Sequence, residues 1–118
     1  MHTLSTRPDP TEEAASEPRT ILFGTDGFDD VLDALGSETA RSILRSVQTE
    51  PLTASEIADC VDTSIQNASY HLQTLTDVGL VRVVDTVYSE KGCEMNLYYA
   101  VDTALLLETA RPGAYVDE

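Results

Sequence analysis

Lysine is nearly missing from this chain: Lys91 is the only one among 118 residues. All cations together number 7, against 21 Asp and Glu, for a net charge of −14. Such a balance weighs against a nucleic-acid partner of the ordinary kind, because that affinity rests on Lys and Arg contacts to phosphate. Cysteine is scarce as well. Cys60 and Cys93 form no CxxC and have no His or Cys cluster around them, which excludes a disulfide framework and leaves no metal-ligand spacing. No apolar run approaches the roughly 18 residues of a membrane-spanning helix. The start of the chain, Met1-His2-Thr3-Leu4-Ser5-Thr6, has no apolar core of the secretory kind. These absences predict a soluble, cytoplasmic protein with no membrane partner.

What remains is a chain the size of one ordinary domain, with a hydrophobic fraction of 42% that suits one core. The acidic surface has a second reading besides solubility. It fits a protein of a salt-adapted cytoplasm, of the halophilic archaeal type. At multimolar salt the screening length falls to about 3 Å or less. Salt cations then screen the interface, long-range repulsion from DNA almost vanishes, and short-range contacts decide binding.

Residues 1–20 are rich in Pro, Thr, Ser and Glu and show no hydrophobic period, which predicts a disordered acidic tail. The folded domain is expected over 21–110, with a C-terminal tail over 111–118. Ile21-Leu22-Phe23 is a short apolar patch suited to docking on the body. Phe28, Val31, Leu32 and Leu35 recur at i, i+3, i+4, i+7, which predicts a helix over 28–35 ended by Gly36. Ser37 can cap a second helix over 38–48, where Ala40, Ile43, Leu44 and Val47 repeat that spacing. Pro51 then breaks the chain.

Thr53-Ala54-Ser55-Glu56 has the S/T-x-x-E pattern of a capping box and opens a third helix, with Ile57, Ala58 and Val61 on its apolar face. A turn follows at Asp62-Thr63, and Thr63-Ser64-Ile65-Gln66 resembles a second box. The fourth helix continues to about Val78, with Ile65, Ala68, Leu72, Leu75 and Val78 predicted inward and Gly79 as its stop. Two Val- and Tyr-rich runs, 80–88 and 95–101, flank the turn Ser89-Glu90-Lys91-Gly92 and read as a hairpin. Asp102 can cap a last short helix over 103–109. The expected fold class is mainly α with a small β-hairpin wing (α+β), a winged helix-turn-helix over 52–81 and the wing behind it.

The fourth helix carries the functional signal. Residues 63–76 contain no Asp, Glu, Lys or Arg, where a chain that is 24% charged should place about three in 14 positions. Its outward residues are Gln66, Asn67, Ser69, Tyr70, His71, Gln73 and Thr74. Asn and Gln can pair with adenine edges, and Ser, Thr and Tyr reach phosphates or bases. An acid-free face in so acidic a chain is what double-stranded DNA as a partner requires. A polar helix packed on a protein partner would look similar.

Three segments together resemble the ArsR-type winged-helix regulators. They are Leu52-Thr53-Ala54-Ser55-Glu56-Ile57-Ala58, the run Ser64-Ile65-Gln66-Asn67-Ala68-Ser69-Tyr70-His71-Leu72-Gln73-Thr74-Leu75, and Val78-Gly79-Leu80-Val81. The resemblance covers about 35–101. It implies that Ser64, Gln66, Asn67, Ser69, Tyr70 and His71 face DNA and that the protein is a homodimer. Metal-sensing members carry cysteines just ahead of the Glu56-Ile57-Ala58 position. Here those positions hold Thr53 and Ser55, so no metal sensing is expected there.

Arg82 near the wing's base and Lys91 at its tip are the candidate phosphate contacts; both also stand among Asp85, Glu90 and Glu94. Arg41 and Arg45, at i and i+4, suit either a flanking phosphate or nearby acids. Cys60 follows the third helix's apolar face and is expected to be buried. Cys93 beside the wing turn is a candidate redox thiol. His71 is open to two readings, a DNA contact or a half-buried neighbour of Leu72. No Gly-rich phosphate loop, carboxylate pair or nucleophile–base set is present, so neither an enzyme nor a cofactor is expected. The helix faces left over, Phe28, Val31 and Leu32 with Leu105, Leu106 and Leu107, are the predicted dimer interface. The alternatives to a DNA-binding regulator are a winged-helix module for protein interaction and a thiol-based stress regulator.

Overall fold

A computed structural model describes residues 18–110. The chain runs β1 (Arg19–Leu22), α1 (Asp26–Ala34), α2 (Glu38–Ser46), α3 (Ala54–Val61), α4 (Ile65–Asp77), β2 (Val81–Tyr88), β3 (Glu94–Ala100) and β4 (Thr103–Leu106). It is a winged helix-turn-helix, as the fold class predicted. β1 begins two residues inside the segment assigned to the tail; the rest of that tail, 1–17, and the segment 111–118 lie outside the described residues.

Each helix starts where a hydroxyl can replace a missing backbone partner. Thr25, Ser37, Thr53 and Ser64 accept from the amides of Phe28, Ala40, Glu56 and Asn67. At α3 the bond is reciprocal, because the Glu56 carboxylate accepts from the Thr53 amide at 2.9 Å. At α4 the cap is Ser64, one residue later than the second box implied. α3 turns into α4 through Asp62, held left-handed at φ 58°. That short corner sets the two helices of the motif against each other.

The core sits between α2, α3, α4 and the start of β2. Ile43, Val47, Ile57, Leu72, Leu75 and Val81 are its fully buried large side chains, joined by Val31 of α1. The period-3.6 spacing put each of these helical residues on one stripe, so burial follows from the sequence pattern. β2 and β3 pair antiparallel from Val81↔Ala100 to Tyr88↔Glu94, with a bulge between Val83 and Asp85. Leu52 and Tyr98 exchange both backbone hydrogen bonds, at 3.0 and 2.8 Å. This pair straps the lead-in of α3 to the wing.

The last element departs from expectation. Residues 103–106 form strand β4, paired in parallel with β1 from Arg19↔Thr103 to Leu22↔Leu106. Local pattern cannot show a partner at the far end of the chain, and Leu105-Leu106-Leu107 reads equally as helix or strand. Cys60 is exposed rather than buried. It lies off the stripe that Ile57, Ala58 and Val61 define on α3. Ile65, expected inward, is 54% exposed, because it is the first residue of α4 and the covered stripe begins at Ala68. Phe28 and Val31 were assigned to a dimer face but are 3% and 1% exposed. Phe28 meets the ring of Phe23 edge-on at 5.4 Å and Val31 joins the core, so one chain already covers them.

Gly79 ends α4 at φ +84°. Beside it, Arg19 Nη2 donates to the carbonyls of Val78 at 3.3 Å and Gly79 at 3.0 Å. A cation thus sits on the negative end of the helix dipole, brought there by β1. Gly79→Ala is expected to cost about 1–2 kcal/mol for the left-handed backbone alone. A Cβ there would also stand 2.7 Å from Arg19 Nη1, so the guanidinium must leave its carbonyls. A lower urea midpoint at unchanged slope is the expected result, and an unchanged midpoint would contradict it.

Candidate nucleic-acid interface

α4 buries Ala68, Leu72 and Leu75 and turns its opposite side outward. Ser64, Gln66, Asn67, Ser69, Tyr70 and Gln73 are exposed, while His71 and Thr74 are half-buried. The middle of the outer face is Gln66, Tyr70, Gln73 and Asp77, and Tyr70 is the most open of them at 66%. Asp77 is the first acid on this face, and it sits at the C-terminal end, away from the turn that leads in from α3.

The side chains on the face are partly preset. Asn67 Nδ2 donates to Thr63 Oγ1 at 2.9 Å, one turn earlier. Gln73 Nε2 donates to Asp77 Oδ1 at 2.9 Å. Thr74 Oγ1 donates back to the Tyr70 carbonyl at 3.2 Å. Both amides therefore hold one donor in a local bond to a residue four positions away. His71 is half-buried and rests edge-on against the Tyr70 ring at 5.2 Å. Ile65 adds an apolar patch at the N-terminal end that the sequence pattern missed. Only the first-turn position of this residue signalled it, since a first turn has no preceding turn to cover it.

The wing tip is the turn 89–93. Ser89 Oγ accepts from the amides of Lys91 and Cys93 at 3.2 and 3.1 Å, and Gly92 takes φ +82°. Lys91 and Cys93 are exposed, and Arg82 is half-buried at the wing's base. Arg41 is engaged elsewhere: its Nη1 donates at 2.7 Å to the carbonyl of Leu35, the residue that closes α1. Arg45 donates to Ser42 Oγ at 3.4 Å. Arg19, which no sequence pattern marked, belongs to the helix end behind this surface. Among the described residues no cluster of His, Cys, Asp or Glu could hold a metal ion. No described helix is long and apolar enough to cross a membrane.

The face of α4 is thus a neutral, hydrogen-bonding strip about two turns long, next to a hairpin with one cation at its tip. Its convex shape and width suit a groove rather than a small-molecule pocket. Leu32, Leu105, Leu106 and Leu107 of the predicted dimer set remain exposed on another part of the surface.

Residues 35–84 match a family described as a helix-turn-helix domain. No curated protein matches the chain. Among solved structures the chain is similar to reduced HlyU from Vibrio cholerae N16961, at 23% identity over 64% of this chain and 73% of that one, TM-score 0.51. An ArsR-like transcriptional regulator from Rhodococcus sp. RHA1 is 28% identical over 63% of this chain and 64% of its own length, TM-score 0.50. A homodimeric winged helix-turn-helix DNA-binding domain from Mycobacterium bovis, described as a possible ArsR-family regulator, is 22% identical over 64% and 65%, TM-score 0.52. The chain therefore spans just under two thirds of the Rhodococcus and Mycobacterium proteins. Helix order, capped turn, strapped wing and these likenesses agree that the chain is a winged helix-turn-helix protein.

Proposed function

We propose that this protein is a DNA-binding transcription regulator that acts as a homodimer on a pseudo-palindromic site in a high-salt cytoplasm. The observation that carries the reading is the outer face of α4, free of acid from Ile65 to Thr76, in a chain of net charge −14. Gln66, Asn67, Ser69, Tyr70 and Gln73 meet base edges, with Ser64, His71 and Thr74 at the margin and Arg82 and Lys91 toward phosphate. The similar proteins described as regulators and as a DNA-binding domain support the same reading. Two copies would set their recognition helices about 34 Å apart, one turn of duplex.

High salt is part of the mechanism in this proposal. With so few cations, counterion release contributes little, and the acidic body repels the duplex at low ionic strength. Specific binding to genomic fragments is therefore expected to persist or strengthen as KCl rises from low to multimolar concentration. An ordinary basic regulator loses about 10³–10⁵ in affinity between 50 and 200 mM salt. A folded protein that binds no fragment at any salt would overturn the proposal. It would favour the second reading that the charge supports, a winged-helix module whose acidic surface meets a basic protein. Cys93, exposed at the wing tip, keeps a thiol-responsive version open to test. An affinity indifferent to peroxide in both the native protein and Cys93→Ser removes it.

A further inference from the structure

Three hydrogen bonds close a ring where the recognition helix and the wing join the rest of the chain. The Arg19 amide donates to the Asp102 carbonyl at 2.9 Å, and the Val101 amide donates to the Leu80 carbonyl at 2.8 Å. Arg19 Nη2 completes the ring at the Gly79 carbonyl, at 3.0 Å, and also donates to Val78 at 3.3 Å. Residues 78–80 are the exit from α4 and the entry to β2, and residues 101–102 follow the end of β3. Val81 and Ala100, the register partners at the foot of the wing, stand directly beside the ring in sequence. One side chain therefore joins the end of the recognition helix to both strands of the wing. β1 delivers it there, since the register of β1 with β4 begins at Arg19↔Thr103.

The backbone is shaped to receive this side chain. Gly79 takes φ +84°, and a Cβ on it would stand 2.7 Å from Arg19 Nη1 and 2.9 Å from Nη2. A residue without a Cβ both permits the turn and leaves room for the guanidinium. Arg19 is exposed, so hydrogen bonds rather than packing hold it. The last carbonyls of a helix have no partner within the helix, and a charged donor bonds them more strongly than a neutral one. In a chain with 7 Lys and Arg, one of them sits on helix carbonyls.

We infer that Arg19 is a positioning residue for DNA recognition: it ties the end of α4 to the foot of the wing and so sets the angle between the two parts that meet the duplex together, without touching DNA itself. The inference rests on the DNA-binding reading above. The core grips α4 along Ala68, Leu72 and Leu75, and Arg19 acts on its end. Gln66 lies about 16 Å along the axis from Asp77, so a tilt of about 10° at the C-terminal end moves it by about 3 Å. Base contacts do not survive such a shift, because hydrogen bonds weaken steeply with distance and angle.

Fluorescence anisotropy of the full chain on a genomic fragment that the native protein binds, across a KCl series, tests this. Arg19→Met keeps most of the stem and removes the donors. It is expected to lower the affinity of the folded protein about 10-fold, the effect of one weakened base contact. The slope of log affinity against log KCl is expected to stay as it is. Circular dichroism at each salt shows that the loss is not unfolding. Unchanged affinity with a lower urea midpoint overturns the inference and leaves Arg19 a helix cap only. A slope shifted by about one also overturns it, since that marks a lost phosphate contact. Gly79→Ala reaches the same contact from the other side, because it displaces the guanidinium and keeps its charge. It stands in where Arg19→Met fails to fold, with the same loss expected at the same slope. The double variant should bind no worse than the weaker single variant, and losses that multiply would show that the two residues act independently and overturn the inference. A native chain that binds no DNA fails the reading above. A native chain that binds DNA, with both variants binding equally well, fails this inference alone.

Discussion

Leu72→Ala is expected to destabilise the protein by about 2–5 kcal/mol, the range for removing a buried Leu side chain and leaving a cavity behind. Leu72 is 1% exposed and lies in the stripe of α4 that faces the core. Its neighbours in the cluster come from α2, α3 and β2, so no single element can shift to fill the gap. A domain of this size holds about 5–15 kcal/mol in all, so the loss is a large share of the total. Urea unfolding in high salt measures the change as a lower midpoint at unchanged slope. DNA binding should weaken only in step with the unfolded fraction, because the side chain points away from the outer face. A loss below about 1 kcal/mol would mean that the α4 stripe is not the packed centre described above.

Gln66→Glu tests the opposite side of the same helix, and here stability and binding are expected to move in opposite directions. The change is nearly isosteric and turns an exposed amide into a carboxylate in the first turn of α4. An anion near a helix N-terminus is stabilising, by about 0.3–1 kcal/mol at low ionic strength and less in high salt. Against DNA the same carboxylate faces acceptors and phosphate oxygens and can no longer donate. One lost base contact is worth about 1–3 kcal/mol, or roughly a 5- to 150-fold drop in affinity. Repulsion adds to that wherever salt does not screen it. Thermal unfolding and a DNA titration at the same KCl concentration give the two readings. Unchanged affinity for specific DNA would remove Gln66, and with it the centre of the outer face, from the proposed contact surface.

Much of this architecture was legible because the helices obey local rules. Thr53 and Glu56 announce a helix start through a bond that needs only three residues of spacing, and the structure contains it. Gly79 announces a helix stop because only a residue without a Cβ accepts φ +84° at no cost. The stripes on α2, α3 and α4 follow from a period of 3.6. What was hidden depends on distant chain. β4 is a strand because β1 lies beside it, and nothing near residue 103 encodes β1. Cys60 and Ile65 were misplaced because a periodic pattern marks a stripe but not its width or where cover begins. The outer face of α4 was readable as a list of residues. The bonds that preset Asn67 and Gln73 needed side-chain coordinates.

Arg19–Leu22 and Thr103–Leu106 pair across about 80 residues of intervening chain. Such a contact is among the last to form, since closing so large a loop is paid in entropy before any bond rewards it. The Arg19 bonds to Val78 and Gly79 come with β1, so the C-terminal end of the recognition helix waits for the final strand. A chain stopped before residue 103 would lack the strand that holds β1, and with it the Arg19 bonds at the end of α4. The β1–β4 pair therefore acts as a latch between segments far apart in the chain.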